Sequence, residues 1–220
     1  MDSIDDFYKE VYENFIGTGV VGFVAKLTHF SIELGGGGVR KRSNHNLRII
    51  EVGAGNGQHL NYVKHDYLKY LMTDLRPEML PAGTEKIVVD HRPISAEKLP
   101  YPNESFDRLI ATCLIAHLSR PQDALLEWER VLGQKGFMDI YVPCEPGILL
   151  RLLQKMITNP KKKKQGVGNP NLLHYRDHIQ PYPRVKAEIE ELGLKTSVKR
   201  YPFPFLSWNF NLWVVFHIQK

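Results

Sequence analysis

An α/β protein with a doubly wound, mostly parallel sheet is what this chain predicts, and three observations predict it. Seven short β-like runs occur from Leu47 onward. Segments with helical periodicity lie between several of them, the alternation that builds a parallel sheet with helices on both faces. A glycine-rich turn, Glu51-Val52-Gly53-Ala54-Gly55-Asn56-Gly57, follows directly on the first run. In such sheets the ligand crevice opens at the carboxyl ends of the strands.

Residues 4–33 read as helical in pieces, with Phe7, Tyr8, Val11, Tyr12 and Phe15 recurring at helical spacing. Within them "IGTGVVGFVA" is too short and too rich in glycine to span a bilayer, and reads as a loop and a buried helix start. The stretch "GGGGVRKRSNHN" then breaks regular structure. Strands follow at "LRIIEVG", "YLKYLMTDL", "KIVVD", "FDRLIATCL" and "GFMDIYVP", with helix-forming segments between the first pair and between the fourth and fifth. The clearest helix is "PQDALLEWERVLGQKG". Pro121 suits its first turn, Ala124, Leu125, Trp128, Val131 and Leu132 make an apolar stripe, and Gly136 supplies the stop.

Past "YVPCEPG" the pattern changes. "ILLRLLQKMI" is a helix, and "TNPKKKKQGVGNPNLLHYRDHIQPYP" is a polar, proline-broken insertion. "RVKAEIEELGLK" resumes as a helix ending at Gly193. The final runs, "TSVKRYPFP" and "NLWVVFHIQ", have a short connection that predicts an antiparallel pair. A single domain of 1–220 results: N-terminal helices and glycine loop over 1–46, a ligand-binding core over 47–145, an insertion over 146–183, and a final helix and strand pair over 184–220.

Composition bounds the function. Hydrophobic residues at 43% and charged residues at 24% argue for a globular chain with a real core. The two cysteines, Cys113 and Cys144, cannot make a disulfide framework and carry no metal-ligand spacing between them, so no metal is expected. The acidic start "MDSIDDFYKE" and the lack of any long apolar run predict a cytoplasmic protein without a membrane span. A formal net charge of +5 points to an anionic partner: nucleic acid, a phosphorylated metabolite or a membrane surface.

The glycines let the backbone approach a ligand closely. A nicotinamide or flavin fingerprint needs a third glycine further on, but the spacing here is GxGxG and Gln58 comes next. No Gly-Lys-Ser/Thr follows, so a phosphate-binding loop is weaker still. What remains is a nucleoside-type ligand without a pyrophosphate. Asp74 stands 21 residues after Gly53, at the end of the second run. There it either accepts hydrogen bonds from both ribose hydroxyls or caps a helix before "RPEML".

"IIEVGAGNGQHL", "TDLRPEML", "SAEKLPYPNESFDRLIATCLIAHL" and "ALLEWERVLGQKGFMDIYVP" resemble, in order and spacing, the motifs of the class I S-adenosylmethionine-dependent methyltransferases of the small-molecule branch called type 11. The resemblance spans residues 47–143 and implies a Rossmann-like, seven-stranded sheet whose last strand is antiparallel, an N-terminal helical lid, and S-adenosylmethionine as cofactor. It implies cofactor contacts from Tyr12, Glu51, Gly53, Ala54, Gly55, Gly57, Asp74, Leu75 (on adenine), Ser95, Ala96, Glu97 and Cys113. A sulfonium and an ammonium favour nearby carboxylates, which Glu51 fits. The family usually has Asp-Ala where Ser95 and Ala96 stand, so the side-chain contact to adenine passes to Ser95 or to the Ala96 amide. Cys113 either lines the methionine end of the cofactor or is a small packed thiol.

Methyl transfer is an in-line displacement, so desolvation and alignment of the nucleophile are the main tasks. His117 stands where many relatives have a histidine and is either a general base or a cap of the next helix. In the family, the N-terminal helices and the segment after the fifth strand cover the acceptor. Tyr8, Arg151, His174, Tyr175, Arg176 and His178, with His117, are the acceptor-side candidates. The run Lys161–Lys164 is either a solvated, mobile loop or a steering patch. Aromatics in "YPFPFLSWNFNLW" either pack the last two strands or stack on nucleic acid. Three functions follow: a methyltransferase acting on an oxygen or nitrogen of a small, anionic or sugar-like metabolite, an RNA methyltransferase, or a non-enzymatic cofactor-binding module.

Overall fold

The computed structural model describes residues 17–35 and 47–220. Its centre is a seven-stranded sheet in the order β3-β2-β1-β4-β5-β7-β6. The strands are β1 (Leu47–Val52), β2 (Tyr67–Thr73), β3 (Ile87–Val89), β4 (Phe106–Thr112), β5 (Leu132–Pro143), β6 (Lys195–Tyr201) and β7 (Trp213–Gln219). β1 to β5 pair in parallel, and β7 runs antiparallel to both β5 and β6. The sequence-predicted architecture holds, including the reversed last strand.

The apolar runs of the inner strands are buried on both faces, as parallel strands must be. On one face Ile50, Val52, Leu109, Ala111, Met138, Ile140 and Val142 pack against Trp128, Val185 and Ile189. These last three come from α2 (Pro121–Val131) and α6 (Tyr182–Glu191). On the other face Ile49, Tyr70, Met72, Ile110, Phe137, Trp213 and Val215 pack against Ile32 of α1 (Gly19–Gly35).

That second face is interrupted by charge. Arg108, fully buried, sits 2.7 Å from Glu33 of α1 and 2.7 Å from Asp139 of β5, and His217 of β7 closes on Asp139 at 2.7 Å. His59 adds a contact to Glu33 at 3.1 Å. A polar belt therefore fastens α1 to three strands, with each charge paired as a low-dielectric interior requires.

Several expectations are corrected. No α-helix joins β1 to β2: the glycine turn uses residues up to Gly57, and a 3₁₀ turn, Gln58–Tyr62, is the helical element before β2. The helix at Pro121 ends at Val131, not Gly136. Leu132 already belongs to β5, and Lys220 Nζ caps the last carbonyls by donating to Glu129 O at 2.8 Å and Leu132 O at 3.0 Å. α1 starts at Gly19, inside "IGTGVVGFVA" as expected, but its first turns are not buried, Val20 being 50% and Phe23 62% exposed. The insertion is helical through α3 (Ile148–Leu153), a π-turn (Gln154–Thr158), α4 (Asn159–Lys164) and α5 (Pro170–Asp177).

The lysine run is therefore a helix end rather than a loop. Lys161 Nζ donates to the Thr18 carbonyl and hydroxyl, both at 3.0 Å, and Lys162 is half-buried, while Lys163 and Lys164 are exposed. Of the aromatics in "YPFPFLSWNFNLW", Tyr201 and Trp213 stack across β6 and β7 and Trp208 packs beside Tyr182, as expected, but Phe205 is 98% exposed, with Phe203 and Phe210 near half. These phenylalanines lie in a loop held by the Asn211 side chain, which bonds Phe203, Leu206 and Ser207, so strand alternation does not apply to them. No helix among the described residues is long and apolar enough to cross a membrane.

Candidate active site

β1 delivers its last residue, Val52, to a turn with three left-handed glycines, Gly53 (φ 68°), Gly55 (φ 54°) and Gly57 (φ 71°). Their surroundings differ. A Cβ on Gly53 would meet Leu114 Cδ1 at 2.8 Å, and one on Gly57 would meet Pro81 Cγ at 2.8 Å, whereas one on Gly55 meets nothing within 4 Å. Gly53 and Gly57 thus let neighbouring chain pack close, and Gly55 faces open space. Ala54 N–H ties the turn to the end of β2 by donating to the Thr73 carbonyl at 3.0 Å.

Asp74, next after β2, accepts the Gly55 amide on Oδ2 and the Arg76 amide on Oδ1, both at 2.8 Å. The Arg76 bond is the local capping contact expected of an aspartate before a turn. Each carboxylate oxygen keeps a second lone pair for a ligand hydroxyl. Leu75, beside it, is 65% exposed, an apolar side chain on offer to a flat ring. The third-strand loop comes alongside through Ile94 N–H, which donates to the Asp74 carbonyl at 2.9 Å. Ala96 is fixed by its carbonyl, which accepts the Trp128 indole N–H at 3.0 Å. Ser95 Oγ accepts the Glu97 amide at 3.3 Å. Glu97 points to the start of α2, bonding the Ser119 hydroxyl and the Arg120 amide and guanidinium.

Glu51 is fully buried. Its Oε2 accepts the Tyr70 hydroxyl at 2.7 Å, its Oε1 has no hydrogen-bond partner, and burial pushes its carboxyl above the usual range.

The end of β4 carries a second cluster. Cys113 holds a left-handed backbone (φ 56°), uncommon for a residue with a side chain, and His117 follows on a 3₁₀ turn, Ile115–His117. Leu114 between them fills the space beside Gly53, so this loop packs on the glycine turn. His117 Nδ1 lies 3.0 Å from Asp177 Oδ1 and 2.9 Å from the Asp177 carbonyl. Gln180 clamps the two segments, its amide donating to Ala116 O at 3.0 Å and its side chain to Leu118 O at 2.8 Å. His178 stacks edge-on to His117 with ring centres 4.4 Å apart. Glu145 binds His178 Nδ1 and His174 Nε2, each at 3.0 Å.

Burial alone would lower the His117 pKa, but Asp177 and Cys113 together lift it to about 10. Burial alone would raise Glu145, but His174 and His178 bring it down to about 2. Burial pushes the Cys144 thiol up to about 12, so it offers no thiolate for nucleophilic chemistry.

Of the predicted acceptor-side residues, His117, His174 and His178 come together. Arg151, Tyr175 and Arg176 are exposed on the insertion, and Tyr8 and Tyr12 lie outside the described residues. A cleft of about 390 Å³ lined by Lys155, Asn159, Lys163, Asn169 and Asn171 shares no residue with either cluster. Sequence reasoning missed Glu145 and Asp177 as partners of the histidines. The signal was present in the i, i+4 pair His174 and His178, which one helical turn puts on one face.

Residues 50–140 match the family model described as a methyltransferase domain. Over those residues the chain is similar to that methyltransferase-domain family. Two curated relatives resemble the chain. A 2-methyl-6-phytyl-1,4-hydroquinone methyltransferase of Oryza sativa subsp. japonica is 32% identical over 108 residues, 47% of this chain and 33% of that one. A phosphatidylethanolamine N-methyltransferase of Cereibacter sphaeroides is 30% identical over 96 residues, 40% of this chain and 47% of that one. The chain thus spans a third to a half of the length of these relatives.

Solved structures share the fold of the methyltransferase domain over more of the chain. A SAM-dependent methyltransferase from Thermotoga maritima covers 99% of this chain and 100% of its own at TM-score 0.57 and 18% identity. One from Mesorhizobium loti covers 81% and 93% at TM-score 0.59 and 14% identity. The cofactor this family implies, S-adenosylmethionine, fits the turn on three counts: the open space at Gly55, the lone pairs left on Asp74, and a buried, unpartnered carboxylate oxygen on Glu51, two residues before Gly53.

Proposed function

We propose that this chain transfers a methyl group from S-adenosylmethionine to an oxygen or nitrogen of a small acceptor that carries negative charge and an apolar part. The observation that carries the cofactor half is the open cradle at Gly55 beside the Asp74 carboxylate. Gly55 lets the backbone approach the ligand, Asp74 receives the ribose hydroxyls, Leu75 packs on adenine, and the buried carboxylate of Glu51 favours positive charge nearby. When bound, the cofactor supplies an electrophilic methyl on a positive sulfur.

The acceptor half rests on the insertion. Ile148, Leu152 and Met156 recur every four residues and are all exposed, with exposed Arg151 and Lys155 among them. An apolar stripe flanked by cations suits an amphiphile with an anionic group. The acceptors named for the two relatives, a phytyl hydroquinone and a phospholipid, are likewise part apolar.

The test is incubation with methyl-labelled cofactor and extracts fractionated by charge and polarity, with bulk RNA as a separate arm. Label in small, anionic, organic-extractable products supports the proposal. Label in RNA replaces it with the nucleic-acid reading.

A further inference from the structure

We propose that Cys113, His117 and His178 bind one divalent transition-metal ion of the zinc type at the end of β4. One potential ligand atom from each of the three lies within 4.8 Å of the others. A tetrahedral zinc centre with sulfur and nitrogen ligands separates its ligand atoms by about 3.3–3.6 Å, so small side-chain rotations close the site. The partners of the rings support this. His117 Nδ1 is engaged by Asp177 at 3.0 Å and His178 Nδ1 by Glu145 at 3.0 Å, which points Nε2 of each ring to the ion, that of His178 having only a long 3.9 Å approach to Asp177 Oδ2 to give up. A carboxylate on the far nitrogen is how metal-bound histidines are oriented and made more basic.

The Cys113 backbone, left-handed at φ 56°, is a conformation that persists only where surrounding structure enforces it, and such residues cluster at functional sites. The residues are reachable from solvent, His117 being 23% and His178 15% exposed at the side chain. A thiolate with two imidazoles selects zinc-like ions over magnesium or calcium. Three protein ligands leave the fourth position open.

Glu145, His174 and His178 form a second group of the same compactness that shares His178. There, however, both Glu145 oxygens already bind ring nitrogens at 3.0 Å, and the Gln154 amide lies 3.0 Å from His174 Nε2, which gives Glu145 a positioning role. Lys162 also acts electrostatically on Glu145 and Asp177, balancing part of their charge. Any use of the ion to hold an acceptor rests on the methyl-transfer reading. Its binding does not.

The experiment is titration of the chelator-stripped full chain with Co²⁺, followed by Zn²⁺. The expected result is a thiolate-to-cobalt charge-transfer band that saturates at one equivalent and is displaced by Zn²⁺. Cys113→Ser abolishes the band. Asp177→Asn keeps it with affinity lowered at least about tenfold, the effect of losing an orienting carboxylate. His174→Gln leaves band and affinity unchanged. Absence of the band in the folded wild-type chain overturns the proposal, as does a site lost in His174→Gln but intact in Cys113→Ser. Calorimetry of S-adenosylmethionine on the stripped protein reads the cofactor site separately, so failure of the methyl-transfer reading leaves the cobalt spectrum as judge of the metal.

Discussion

The Gly55 amide donates to Asp74 Oδ2 at 2.8 Å, so the residue that faces the open cradle is held in place by the acid expected to receive the ribose. One carboxylate builds the turn and is expected to offer its remaining lone pairs to the ribose. Asp74→Ala therefore removes a support and a contact together, and cofactor affinity should fall by at least the 1.5–3 kcal/mol roughly expected for a hydrogen bond to a charged group. Asp74→Asn keeps one acceptor oxygen and should lose less. Titration calorimetry of both variants checks this, and a change of a few tenths would move the ribose contact elsewhere.

Arg108 is the keystone of the belt under α1, with Glu33 and Asp139 each 2.7 Å away. Arg108→Met should destabilise the fold by about 3–5 kcal/mol, because it takes the guanidinium from buried Asp139 and part-buried Glu33 and leaves each only a histidine, His217 and His59. Denaturant unfolding measures it. A loss under 1 kcal/mol would mean that the carboxylates find water or protons at little cost.

The same belt sets an acid limit. Burial alone would raise the Glu33 pKa, but His59 and Arg108 depress it to about 2. A depressed carboxylate contributes stability that is fully present above its unfolded pKa, about 4.3, and is lost as pH falls through its folded value. Stability should decline between roughly pH 4.5 and 2, with a shallower decline in Glu33→Gln. Equal slopes for wild type and variant would remove Glu33 from the acid transition.

On the insertion, Arg151 is exposed beside the apolar stripe. Arg151→Ala should raise the acceptor KM several-fold and leave cofactor affinity unchanged, an effect that shrinks with salt because charges beyond about 8 Å are screened at physiological ionic strength. Lys161 and Lys162 are tied into the fold, so their replacement should lower stability, while replacing Lys163 and Lys164 should not. Steady-state kinetics at two salt concentrations and thermal unfolding separate these outcomes.

Where the sequence was legible, the signal was local. The glycines of "GAGNG", the strand-end position of Asp74 and the stripe of Ala124, Leu125 and Trp128 each announce their role within a turn or two. The reversed β7 was readable from the short connection behind it. The histidine cluster was not, because it joins the end of β4 to residues about 60 positions on, His117 with Asp177, through a clamp at Gln180. Arg108 hid within "FDRLIATCL", where a charged residue in an apolar run gives no hint of its partner in α1. The helix expected between β1 and β2 is only the 3₁₀ turn Gln58–Tyr62.

The cofactor is expected to meet the backbone at the open space beside Gly55. The direct test is isothermal calorimetry of S-adenosylmethionine and its demethylated product against wild type and Gly55→Val, with circular dichroism as the check on folding. A side chain at this left-handed position costs about 1–2 kcal/mol of strain and projects into the open space rather than into the protein. Wild type should bind both ligands with similar affinity, and the folded variant should bind neither. A folded Gly55→Val that binds as wild type does would contradict the contact at Gly55.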